Sequence, residues 1–269
     1  MAISSVDGWF AASKQRVLML KTGTVTTVAA QPFSLFAANG NPGAGTLAVG
    51  NTTTGVLFTD ATAGCPTINA FGGGATGYLA NGKFSNDRAG GMILYDRIWG
   101  AGAISLTTLA TTTFSSQPSI AARLPATDYE LVEILIELTT TVSATATTIT
   151  ATYTNEAGTT GRSVPVAQSV NGFTTPRIIA LPLAAGDRGV QKIESVTVGG
   201  TVASAGAFNI IIARRLARFD IRVANAQDTQ GWDIMGAPQI YADSALWMVS
   251  QPDGTSSGTP YLEFDIING

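Results

Sequence analysis

The chain has 269 residues, with 15 basic and 18 acidic side chains, a formal net charge of −3 and only 12% of residues charged. It has no histidine and a single cysteine, Cys65, which excludes imidazole catalysis, His-ligated zinc, an intrachain disulfide framework and CxxC redox chemistry. The slight acidity speaks against a dedicated nucleic-acid binder, and the longest apolar run, around 177–185, is broken by Pro182 well short of the ~18 residues a membrane helix needs.

Hydrophobic residues make up 45% of the chain and glycine contributes 30 residues. A chain this apolar with so few charges must bury surface against itself or against other copies, so a soluble assembly protein is expected rather than a monomeric enzyme. Residues 1–15 lack the basic and apolar regions of a signal peptide, so none is expected.

A short helix is expected over residues 4–15, capped by Ser4 or Ser5, with Asp7 in its first turn and Val6, Trp9, Phe10 and Val17 along one side. Strands follow over 16–21 and 24–29. The stretch 39–91 is rich in Gly, Asn and Thr, and Asn39-Gly40, Asn81-Gly82 and Gly72-Gly73-Gly74 are turn signals. It reads as extended loops laid over a neighbour, with short strands at 46–49 and 55–58.

Strands are expected over 92–98 and 103–108. Residues 129–142 admit a helix, through a Thr127/Glu130 capping box, or a strand. The strand is preferred, with Val132, Ile134, Ile136 and Leu138 inward and Glu133 and Glu137 outward. Further strands are expected over 147–154, 162–167, 177–181, 190–198, 207–213 and 213–223. The tail from residue 224 is irregular until a last strand over 261–267. Short strands at this spacing, joined by Gly-containing turns, indicate an all-β fold with a β-sandwich or jelly-roll core, a short N-terminal helix and long Gly/Thr-rich loops. The expected division is 1–90 for helix, short strands and arm, 91–223 for the sandwich core, and 224–269 for the C-terminal segment.

Little of the sequence suggests chemistry. Gly72 to Gly77 matches G-x-G-x-x-G, with Asp96 nineteen residues on, but no helical pattern follows, so a dinucleotide site is not expected. Glu130, Glu133 and Glu137 suggest a glycosidase acid/base set, yet four residues along a strand place Glu133 and Glu137 about 13 Å apart, too far for that pair. They read instead as an exposed polar face. Asn225, Asp228 and Asp233, or Asp253, offer oxygen ligands for calcium without the loop that organises them. Arg214, Arg218 and Arg222 project from one strand face beside Arg215 and read as an intersubunit surface. Trp9, Trp99, Trp232, Trp247 and Tyr241 are candidates for a glycan site or, more simply, for core and interface anchors. Cys65 reads as an inert small hydrophobe in a reducing compartment. No catalytic, cofactor or metal residues are assigned; the interface residues are Trp9, Phe10, Arg214, Arg218 and Arg222.

Two segments carry a resemblance. Met92–Gly100 (MILYDRIWG) is followed by Thr147–Ser163 (TTITATYTNEAGTTGRS). An aliphatic-LYDR-x-W segment and a later Thr-rich strand ending YTN-x-x-G-x-x-GR resemble a group of structural proteins of tailed-bacteriophage virions, over about residues 91–216. The residues themselves suggest that Tyr95 and Trp99 are buried anchors, that Asp96 and Arg97 pair, and that Gly158 and Gly161 supply positive φ. The resemblance implies a non-enzymatic virion protein, assembled in the host cytoplasm, that decorates or cements a capsid. Its partners would be further copies, as in a trimer, and the major capsid protein or other virion proteins. No cofactor, nucleic acid, membrane or small-molecule substrate is implied. The alternative is a tail or fibre module that binds host glycan.

Overall fold

Two long strands organise the protein, β6 (Gly90–Ser105) and β14 (Ala207–Ile221). They pair antiparallel from Gly90↔Ile221 to Ser105↔Ala207, with register shifts near Ile210, Ala213 and Ala217. The computed structural model describes Ile3 and residues 5–269. The central sheet runs β12 (Ile178–Leu181), β8 (Val132–Thr140), β14, β6, β17 (Leu246–Pro252), β2 (Phe33–Ser34), with β4 (Asn51–Leu57) also on β6.

A first outer sheet runs β15 (Gln227–Gln230), β5 (Gly77–Ser85), β18 (Tyr261–Asn268), β1 (Ser13–Lys21), β3 (Gly40–Asn41), with β16 (Gln239–Ile240) on β5. A second runs β10 (Arg162–Ser163), β9 (Thr147–Asn155), β13 (Val190–Gly200), β7 (Thr111–Thr113), with β11 (Gln168–Ser169) on β9. The expected all-β class is what forms.

Each outer sheet packs on one half of the central sheet. Met92, Leu94, Phe219 and Ile221 meet Met19, Phe84, Leu262 and Phe264 of the first. Ile98, Trp99, Ile210 and Ile212 meet Ile149, Tyr153, Ile193 and Val196 of the second. A third cluster forms from Ile93, Tyr95, Ile211, Ala213 and Trp247, which alternate with those residues, together with Phe36, Phe58 and Cys65 from loops. Successive strand residues face opposite ways, so the central sheet is covered on both faces. That is why residues 91–102 are buried without a break.

Several expectations are corrected. The helix α1 spans only Val6–Ala11, because Ala12 turns extended and Ser13 already pairs with Asn268. Ser5 caps it, its Oγ accepting the Gly8 amide at 3.0 Å; Ser4 and the Val6 side chain lie outside the described residues. Residues 24–29 make one isolated bridge, Thr26↔Ser256, and 46–49 form no strand. Asn81-Gly82 is no turn but the middle of β5, where Gly82 leaves room for the Phe219 ring.

Nor are the three sequence segments spatial units. Strands β1 and β5 from residues 1–90 share a sheet with β15 and β18 from the tail, and β17 lies between β6 and β2 in the central sheet. Pairing of distant segments, which local composition does not encode, decided this.

Candidate functional site

Both segments that carry the resemblance are structural clasps. Along β6, Tyr95 donates to Glu133 Oε2 at 3.1 Å, and Trp99 Nε1 donates to the Thr54 carbonyl at 3.2 Å while its ring meets Phe114 edge-on. Asp96 and Arg97 do not pair as expected, since neighbours on a strand project to opposite faces. Asp96 accepts from Arg123, from Ser244 Oγ at 2.9 Å and from the Ala245 amide at 3.0 Å. Arg97 forms two bonds to Glu137, at 2.8 and 3.1 Å, and lies over the rings of Phe36 and Phe58 at 4.4 Å from each.

Glu137 is therefore not on an exposed face. It is 0% exposed and accepts a further bond from Asn209 at 2.9 Å. Glu133 pairs with Arg215 near the surface, and Glu130 with Arg188.

The second segment converges on one carboxylate. Tyr153 Oη at 2.7 Å, Asn155 Nδ2 at 2.8 Å and Arg162 Nε at 2.8 Å all donate to Asp187. Arg162 first, then Tyr153 and Asn155, hold the Asp187 carboxyl at about 2, against the opposing effect of burial. Thr154 donates to Glu194 at 2.8 Å, and the Gly161 amide donates to the same carboxylate. Gly158 and Gly161 adopt φ of 82° and 70°, the positive values the turn requires.

The arginine cluster divides. A register shift between Arg215 and Ala217 changes the alternation. Arg214 is buried and donates to the Gln239 carbonyl, with its guanidinium near the Tyr241 ring. Arg218 is exposed and bonds Asp220 twice, at 2.8 and 2.9 Å, and Arg222 is exposed. Arg214 therefore cannot serve the same surface as the other two.

Among the described residues no three of His, Cys, Asp and Glu gather to hold a metal. Asp228 instead accepts from the Asp220 amide and from Gln230. The glycine motif runs into β5, not a helix, and so offers no helix N-terminus to a pyrophosphate. Cys65 is buried, which pushes its thiol up to about 12 and leaves it protonated and inert.

Of the five aromatic candidates, Trp99 and Trp247 are core residues and Tyr241 lies beside Arg214. Trp9 and Trp232 do come together, with ring centroids 5.7 Å apart and planes at 52°. Tyr78, which the sequence did not single out, stands 6.4 Å from Trp9. With Phe10 these rings line a hollow of about 550 Å³ between α1, β5 and the one-turn helix α2 (Trp232–Met235). Phe10 is 71% exposed and Trp232 50%.

The hollow opens onto the outer face of the first sheet. The pairings Asn81↔Asp265↔Arg16 and Lys83↔Glu263 place these side chains in neighbouring rows. A second hollow of about 180 Å³ joins Trp9 and Trp232 to Lys14, Asn81 and Asp265. A third, of about 280 Å³, joins Asn81 and Asp265 to Arg16, Lys83, Thr229 and Glu263. Shared lining residues set the three side by side as a row along the sheet, a groove in outline.

No protein-family model matches the chain. No curated protein matches it. Among solved structures it aligns with the 2.6 Å structure of infectious bursal virus-derived T=1 particles, at 10% identity and TM-score 0.18, over 96% of this chain and 78% of that one. It aligns also with the structure of the infectious bursal disease virus Gx strain, at 9% identity and TM-score 0.19, over 94% of this chain and 80% of that one. Superposition at this level establishes no kinship.

Proposed function

We propose that the chain is a non-enzymatic structural protein of a tailed-bacteriophage virion, one that decorates or cements the capsid as a homo-oligomer. The observation that carries this reading is the fate of the two segments resembling such proteins. Tyr95, Asp96, Arg97, Trp99, Tyr153, Asn155 and Arg162 all bind other parts of the same chain. These intrachain bonds support a framework role for both segments.

The low charge supports assembly, as do Arg218 near the end of β14 and Arg222 and Val223 just past it, all exposed, Val223 to 67%. A specific contact with a neighbour would bury roughly 1,200 Å² or more. Arg214 takes no part in it, being internal.

The test is quantitative gel analysis of purified particles, with an electron-microscopy map. Copies in step with the major capsid protein, on the shell, are expected. The small copy number of a tail component would shift the reading to tail or fibre, and absence from particles would end it.

A further inference from the structure

The groove across the first outer sheet has no role in the static function above. We propose that it binds an oligosaccharide, with a sugar ring against Trp9 and Trp232 and an acidic sugar's carboxylate at Lys14 or Lys83. The aromatic end offers flat apolar surface that suits the C–H face of a pyranose. Beyond it, planar hydrogen-bonding groups stand in rows on a rigid sheet.

These groups are held before any ligand arrives. Arg16 Nε donates to Asp265 at 3.0 Å and its Nη1 lies 3.2 Å from Glu263, while Asn81 Nδ2 donates to Asp265 at 3.2 Å. Tyr261 donates to Glu263 at 2.5 Å. Each keeps lone pairs or N–H groups free for vicinal hydroxyls. Among the described residues the Lys14 and Lys83 ammoniums have no ion pair or hydrogen bond, and they are the groups left to meet an anionic sugar. From Tyr78 to Lys83 the floor runs roughly 15 Å along β5, room for a short oligosaccharide.

Other occupants fit less well. The groove lies on a sheet face, where the backbone is already paired, so an extended peptide gains no strand pairing there. A phosphate backbone would carry a charge at every unit past Asp265 and Glu263 on the floor, whereas an acidic oligosaccharide sets neutral hydroxyls there and its carboxylate at a lysine. A second protein copy or a lipid would bury the two ammoniums unless it brought its own anions to them, a cost that a hydroxyl-rich ligand in a solvated groove avoids.

The experiment applies the full-length protein to an array of neutral and acidic oligosaccharides. It then follows titration with a glucuronate-containing hexasaccharide and a neutral maltohexaose by tryptophan fluorescence and calorimetry. Saturable binding is expected, weakened tenfold or more by Trp232→Ala and by Trp9→Ala. Lys14→Gln with Lys83→Gln should weaken the acidic ligand selectively. Because Trp232 is half exposed, W232A should keep the wild-type unfolding midpoint, so its loss of binding is not loss of fold.

Absence of binding across the array, or binding unchanged in both tryptophan variants, overturns the proposal. So does sedimentation showing that these variants dissociate an oligomer which saccharides leave intact, since the groove would then be a subunit contact. Virion occupancy is scored separately, so a virion protein without glycan binding retires only this inference. A glycan binder absent from particles retires only the virion reading.

Discussion

Arg97 and Glu137 form a two-bond ion pair in which neither side chain is exposed at all, joining β6 to β8 across the intervening β14. The pair is roofed by Phe36, Phe58 and Trp247, and Asn209 ties Glu137 to the Leu47 carbonyl. It fastens a loop-covered face of the central sheet.

Removing one partner should leave the other charge buried and alone. Glu137→Leu or Arg97→Met is expected to cost about 3–5 kcal/mol, while the double variant should recover much of that. Urea unfolding of the three variants provides the check, and additive losses would contradict the pairing.

Asp187 gives the protein an acid limit. Its folded carboxyl lies at about 2, below the ordinary value of about 3.9. The unfolded chain therefore binds the proton first as pH falls. The stabilisation is complete above about pH 5 and is lost as pH drops toward 2, an effect of about 2 kcal/mol. Asp187→Asn should flatten that part of the stability profile, measured by chemical unfolding between pH 2 and 6.

Lys21 acts at the other end of the scale. Its side chain is 1% exposed and donates to the carbonyls of Ala38 and Pro42, at 3.2 and 2.9 Å, and among the described residues it has no carboxylate partner. Burial lowers it to about 8. Between pH 8 and about 10.4 the unfolded chain keeps a proton the folded one has released, so this group makes stability rise with pH. Cys65, raised to about 12 by burial, opposes it once pH exceeds about 8.5. The Lys21 contribution is therefore cleanest near pH 8–8.5, and Lys21→Met should abolish the rise there.

Gly55 adopts φ of 66° with its Cα against the Trp99 ring. Alanine at this position meets both the strained backbone and the indole. Gly55→Ala should destabilise by about 2 kcal/mol or more, visible as a lowered unfolding midpoint.

The strands of the core were legible because their period-2 alternation survives in the sequence: β8, β9, β13 and β14 fall close to where the pattern places them. The last strand was also expected, over 261–267, where β18 forms. The burial of Glu137 was not legible, because a carboxylate between aliphatic residues looks the same whether water or Arg97 faces it. The split of Arg214 from Arg218 was hidden too, since the register shift that causes it depends on pairing with β6.

By itself the sequence determined the all-β class, the turn glycines at 158 and 161, and the exclusion of histidine and disulfide chemistry, all properties of residue type and local spacing. Tertiary structure alone decided which distant strands share a sheet, which charges meet, and that Trp9, Tyr78 and Trp232 line one groove. Those outcomes depend on long-range packing, where side chains separated by up to a few hundred positions compete for the same space and the same hydrogen bonds.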